Sequence, residues 1–140
     1  MPTEGEEQRM LFDWAKWALG AHPELALMYH IPNEGKRTGT TGGRLVAEGL
    51  RKGVPDICLP VARSGYHALY IELKRRKGGV VSEEQRGWIA ALNRAGNKAV
   101  VARGWMEAEK IITEYLRGEK QNAEVHEQQG ARSSDQAENS

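Results

Sequence analysis

The sequence has a single cysteine, Cys58. That excludes an intramolecular disulfide framework and a cysteine-built zinc site. It also makes a reducing cytosol the expected setting. No apolar run approaches the roughly 18 residues that a spanning helix needs. The opening MPTEGEEQRM is acidic and has no apolar stretch, which argues against a secretory signal. No charge of one sign dominates, since 20 Lys and Arg face 19 Asp and Glu for a net charge of +1. There is no internal repeat, no Ser/His/Asp arrangement with usable spacing, and no G-x-x-x-x-G-K-[ST] loop for a Walker-type site. Collagen, coiled coil, secreted mini-protein and membrane anchor are thereby excluded. What is left for 140 residues that are 39% hydrophobic and 28% charged is one globular domain, an enzyme or a binding module.

The near-zero net charge hides an uneven distribution. Residues 121–140 hold four acids (Glu124, Glu127, Asp135, Glu138) against Arg132, and Val125 is their only branched aliphatic residue. Such a stretch buries too little apolar surface to offset its ordering entropy, so a disordered acidic tail is expected there. The folded domain is expected to span residues 1–120. Within it, residues 36–77 carry ten bases and only three acids, Glu48, Asp56 and Glu72. An excess spread over several elements is the footprint expected for a polyanion partner. The three acids inside it then become the residues of interest.

Periodicity and punctuation give a coarse order of elements. Met10, Leu11, Trp14, Trp17 and Ala18 have helical spacing, so residues 6–19 read as a helix capped by Thr3 with Glu6, and the tryptophans read as core. Leu27–Ile31 is a short β-prone run. The sequence NEGKRTGTTGG reads as a loop, and residues 43–51 as a short helix. Ile57–Val61 and His67–Lys74 read as an antiparallel hairpin turned at residues 62–66. Ser82, with Gln85 completing a capping box, opens a helix over 82–95 that Gly96 closes. Lys98–Arg103 is a last strand, and Trp105–Leu116 a last helix. Strand, helix and strand over 67–103 form a crossover unit, which implies a parallel pair. The expected class is α/β with a mixed four-stranded sheet flanked by helices.

The candidate chemistry sits on the hairpin. In HALYIELK, Leu69, Ile71 and Leu73 face one way while Tyr70, Glu72 and Lys74 face the other. Antiparallel pairing brings Asp56, just after Gly53-Val54-Pro55, toward Glu72. Two converging carboxylates repel unless a charge offsets them, and a hard divalent cation such as magnesium does so. A neighbouring lysine can then hold the attacking water or the charge building on phosphate. Read alone, Glu72 and Lys74 are equally an ordinary surface ion pair. Cys58, mid-strand, is expected to be buried and inert.

The ordered set Gly53-Val54-Pro55-Asp56-Ile57, Ile71-Glu72-Leu73-Lys74 and Ser82-x-x-Gln85-x-x-Trp88 resembles the VRR-NUC family of the PD-(D/E)XK nuclease superfamily, over about residues 4–117. The resemblance implies a restriction-endonuclease-like α-β-β-β-α-β core. It implies magnesium- or manganese-dependent hydrolysis of DNA phosphodiesters, in a family common in phages and in replication or repair. Asp56 and Glu72 are the implied acidic metal ligands, the Leu73 carbonyl a further one, Lys74 the catalytic lysine, and Gln85 the glutamine of the following helix. The family also uses a glutamate on its first helix. Glu7 shares the buried face with Leu11 and Trp14 and is the first choice, with Glu4 second. Lys36, Arg37, Arg44, Arg75 and Arg76 are candidate DNA contacts, and His30 could approach a phosphate. The implied substrate is branched DNA such as a Holliday junction, which a homo-oligomer would match. Two rivals are a non-catalytic nucleic-acid-binding module and a sequence-specific restriction-type nuclease.

Overall fold

The computed structural model describes residues 1–32, 43 and 46–120. The loop residues 33–42, with Lys36 and Arg37, lie outside that range, as do Arg44 and the acidic tail. So does part of the expected 43–51 helix, of which Val46 and Ala47 are helical before a turn at Gly49.

Helix α1 spans Glu4–Trp17, two residues earlier at each end than its apolar periodicity predicts. The Thr3 hydroxyl accepts from the Glu6 amide and sets the start. Leu11, Ala15 and Ala18 form the buried row with Glu7. Trp17 lies about a third of a turn from that row and is 85% exposed, so it does not join the core as its spacing suggested. A 3-10 turn over Ala18–Gly20 and another over Pro23–Leu27 follow, the second taking Leu27 from the run that read as strand. Strand β1 is only Tyr29–His30.

Strand β2 is Ile57–Leu59, shorter than expected because Pro60 has no N–H to donate to the ladder. Strand β3 is Leu69–Lys74. The two pair antiparallel, with Ile57 opposite Ile71 and Cys58 opposite Tyr70. Helix α2, Glu83–Arg94, carries the full Ser82/Gln85 capping box, and Gly96 at φ 96° ends it in the left-handed region that glycine favours. Strand β4, Lys98–Arg103, then runs parallel to β3, and helix α3, Trp105–Leu116, closes the fold. Sheet order follows chain order, β1-β2-β3-β4, and the sheet is mixed.

The two faces of the sheet are unequal. Ile57, Leu59, Leu69, Ile71 and Leu73 are essentially buried against Leu11 of α1 and Ala108 and Ile112 of α3. Each such side chain contributes about 2 kcal/mol of transfer free energy. Helix α2 lies against β4 on the opposite face and has no fully buried residue of its own, although Glu72 and Lys74 of β3 are buried there. That is the face of Tyr70, Glu72 and Lys74. Arg63, counted above among the bases of a polyanion footprint, is buried and used internally. Its guanidinium donates to the Leu116 and Ala62 carbonyls and to Glu24. No helix among the described residues is long and apolar enough to cross a membrane.

Candidate active site

The parallel pair β3/β4 and the antiparallel strand β2 place three chain segments at one end of the sheet, on its central strands. The C-terminal end of β3 meets the entry to β2, and the first turn of α1 reaches the same end. A Cβ added at Gly79 would lie 3.3 Å from Glu4 Oε1 and 3.3 Å from Lys74 Cβ.

Asp56 stands just before β2, and its carboxylate replaces a ladder partner. Oδ2 accepts from the Leu73 amide at 2.8 Å. Within a strand a residue's N–H and C=O address the same neighbour, so the Leu73 carbonyl also faces the Asp56 flank. The loop carrying Asp56 passes under α2. Gly53, at φ 91°, packs so closely that a Cβ there would meet the Glu84 backbone at 2.8 Å. Trp88 Nε1 donates to the Lys52 carbonyl at 3.0 Å and pins the same loop.

Glu72 is 2% exposed on the α2 side of β3. Its Oε1 accepts from Gln85 Nε2 at 2.8 Å and lies 3.5 Å from Lys74 Nζ. Its Oε2 is buried and has no hydrogen-bond partner among the described residues. Burial, followed by the nearby Asp56 carboxylate, pushes Glu72 up to about 8, and Lys74 only partly opposes that rise. Asp56 is raised as well, mainly by burial, with the Leu73 amide and His30 pulling the other way and the Glu4 carboxylate adding to the rise. His30 Nδ1 lies 2.9 Å from the Asp56 carbonyl oxygen, which fixes the end of β1 to this loop.

The three residues of Ser82-x-x-Gln85-x-x-Trp88 thus have three separate tasks. Ser82 starts the helix, Gln85 holds Glu72, and Trp88 anchors the loop that delivers Asp56.

The structure does not bring every candidate to this end. Glu7 is 0% exposed, with both oxygens engaged elsewhere. Oε1 accepts from Arg76 Nε at 3.0 Å and Oε2 from the Trp105 amide at 2.6 Å. It therefore joins α1, the segment after β3 and the N-terminus of α3, where a carboxylate complements the helix dipole. Both Glu7 oxygens are thus occupied within the protein, while Glu4 is the first-helix carboxylate that adds to the rise at Asp56. Arg76 donates to Glu7 through Nε, and its side chain is 42% exposed. Arg75 is exposed, its guanidinium lying over Gly78.

Two carboxylates, a neighbouring carbonyl and an unpartnered buried oxygen suit a hard divalent ion. Among the described residues no three His, Cys, Asp or Glu side chains form a group that could hold a metal. An ion at Asp56 and Glu72 would therefore complete its shell with the Leu73 carbonyl and water, as magnesium does readily. The sequence signal for Glu4 was its place one turn before Glu7. What it did not reveal was that Arg76 would claim Glu7.

The VRR-NUC domain profile matches residues 4–106. A solved structure described as a VRR_NUC domain protein superposes with a TM-score of 0.73 at 25% identity, covering 86% of this chain and 93% of that one. None of the curated proteins matches the chain. The match spans well over half of the chain and includes Asp56, Glu72, Lys74 and Gln85, so the protein belongs to the VRR-NUC domain family.

Proposed function

We propose that this chain is a magnesium- or manganese-dependent DNA endonuclease whose centre is Asp56, Glu72, the Leu73 carbonyl and Lys74, with Glu4 at its margin. The observation that carries this reading is the Glu72 carboxylate. It is buried, one oxygen is unpartnered, and it faces a second carboxylate while a lysine sits on its other oxygen. A purely structural ion pair has no use for an empty buried lone pair, which is costly to maintain.

A bound divalent cation would supply charge for the phosphate oxygens and a more acidic water. The protein's own groups do the rest. Gln85 holds Glu72 Oε1, so Oε2 keeps its direction. The Leu73 amide holds Asp56. Lys74, 6% exposed, places a positive charge beside the carboxylates, where it would steady the attacking water and the negative charge building on the phosphate oxygens. The family resemblance favours branched DNA as substrate, and a small domain has little surface for reading sequence. A symmetric dimer would match the two-fold axis of a four-way junction.

The test is cleavage of labelled duplex, single strand, flap and four-way junction with magnesium, manganese or EDTA, by wild type and Lys74→Ala. Cutting that needs metal and falls about a hundredfold or more in the variant supports the reading. DNA binding with no cutting under any condition would replace it with a binding module. A product pattern that follows sequence instead of branch position would favour a restriction-type enzyme.

A further inference from the structure

A groove lies between the outer face of α1 and the end of β1. Gly5, Gln8, Arg9 and Phe12 line it from one side and His30 from the other, around about 500 Å³. That is within the range of clefts that take small ligands, about 300–1,000 Å³. The four helix residues follow i, i+3, i+4, i+7 spacing, so they form one continuous strip. This strip is distinct from the buried row of Leu11, Ala15 and Ala18. At its far side His30 Nδ1 lies 2.9 Å from the Asp56 backbone carbonyl oxygen, so that wall of the groove is tied to the loop that carries Asp56.

Two features say what the groove is for. Its chemistry alternates: Arg9 is an exposed cation, Gln8 and His30 are hydrogen-bonding groups, and Phe12 is a half-buried aromatic. Charge and a ring at one-turn spacing suit a chain that alternates phosphate and base. The second feature is Gly5. It is the second residue of α1, in the first turn of the helix. Nothing crowds it, since an added Cβ would find only Thr3 Oγ1 at 4.0 Å. Packing does not demand glycine here, and its missing side chain keeps the groove open at the end nearest Glu4.

We propose that this groove seats the single DNA strand next to the scissile phosphate, with one base against Phe12 and the adjoining phosphate between Arg9 and His30. The proposal rests on the nuclease reading for its direction, from the groove to Asp56 and Glu72. It makes the substrate a DNA with an unpaired segment beside the cut, as at a flap or an opened branch.

The experiment is fluorescence anisotropy in EDTA with the full chain. The probes are a short fluorescein-labelled oligodeoxythymidine and a blunt duplex. Arg9→Glu should weaken the single strand about tenfold or more and lower the salt slope by about one. Phe12→Leu should weaken it with no change of slope. Gly5→Leu should weaken it while melting at or above the wild-type temperature, because leucine is the better helix former. Arg117→Glu, the same charge change at the other end of α3, should bind as wild type. The proposal is overturned if Arg9→Glu and Arg117→Glu behave alike, if Gly5→Leu binds as wild type, or if duplex and single strand lose equally. Metal-dependent cleavage by wild type and Lys74→Ala is scored separately. Normal cleavage with unaffected groove variants removes the groove alone. Absent cleavage with the groove losses intact removes the nuclease reading alone.

Discussion

Gln85 Nε2 and Lys74 Nζ address the same oxygen of Glu72, at 2.8 and 3.5 Å, and leave the buried Oε2 without a hydrogen-bond partner among the described residues. One carboxylate is therefore divided into a held side and an open side. A helix cap residue does the holding, since the Gln85 side-chain oxygen also accepts from the Ser82 amide at 2.8 Å. Forming α2 and orienting Glu72 are one event.

Gln85→Leu should uncouple them. The helix loses part of its cap, and Glu72 loses the donor that fixes its rotamer. Metal affinity should fall about 10–100-fold, the usual effect of removing a group that orients a ligand. Calorimetric titration with manganese measures this. Cleavage should recover at high metal concentration, which a loss of folding would not allow.

The metal-free protein should become less stable as pH rises through neutrality. Glu72 sits at about 8 in the folded chain against an ordinary 4.5. Between those values the folded state binds more protons than the unfolded state, so unfolding free energy falls with rising pH. Asp56 shifts in the same direction. Melting temperatures in EDTA should therefore decline from about pH 5 to about pH 8, and Glu72→Gln should flatten the decline. A wild-type curve that rises over this window would contradict the assignment. Magnesium should raise the melting temperature more at high pH, where its ligands are deprotonated.

Glu4 and Glu7 should separate by property. Glu7→Ala strands Arg76 and the Trp105 amide and should cost about 2 kcal/mol, less than a fully buried pair because Arg76 can reach water. Metal affinity should change little. Glu4→Ala should leave the melting temperature nearly unchanged and weaken metal binding or turnover. Thermal melts and manganese titrations on the two variants decide it, and the reversed pattern would return the first-helix role to Glu7.

Gly53→Ala should be expensive for so small a change. The left-handed backbone and the contact of an added Cβ with the Glu84 backbone both oppose it, at about 1–3 kcal/mol. Chemical denaturation gives the stability loss. Because the loop leads straight to Asp56, manganese binding should weaken alongside it.

Much of this molecule was legible in its residue order. Strand β4 and helix α3 have the bounds their patterns predict, and α2 differs by one residue at each end. These elements carry local punctuation: a serine cap, a glycine stop and an unbroken periodicity. The early strands were read too long. Pro60 cuts β2, and the 3-10 turn at Pro23–Leu27 takes part of β1. Proline effects on a ladder depend on which neighbour needs the missing N–H, and that is a tertiary fact.

The placing of Glu72 and Lys74 on one face of β3, and of Gln85 in a helix cap, was visible because alternation along a strand and capping chemistry are local rules. Which glutamate of α1 is free, and which arginine is free, was decided elsewhere. Glu4 and Glu7 lie on nearly the same face of one helix, and Arg75 and Arg76 are adjacent. The choice came from Arg76 and the N-terminus of α3 reaching Glu7 across some seventy to a hundred residues of chain. Local sequence determines the period of each element and the side to which each side chain points. Only the packed fold decides which charges meet, because ion pairs form between whichever groups the packing brings within a few ångströms.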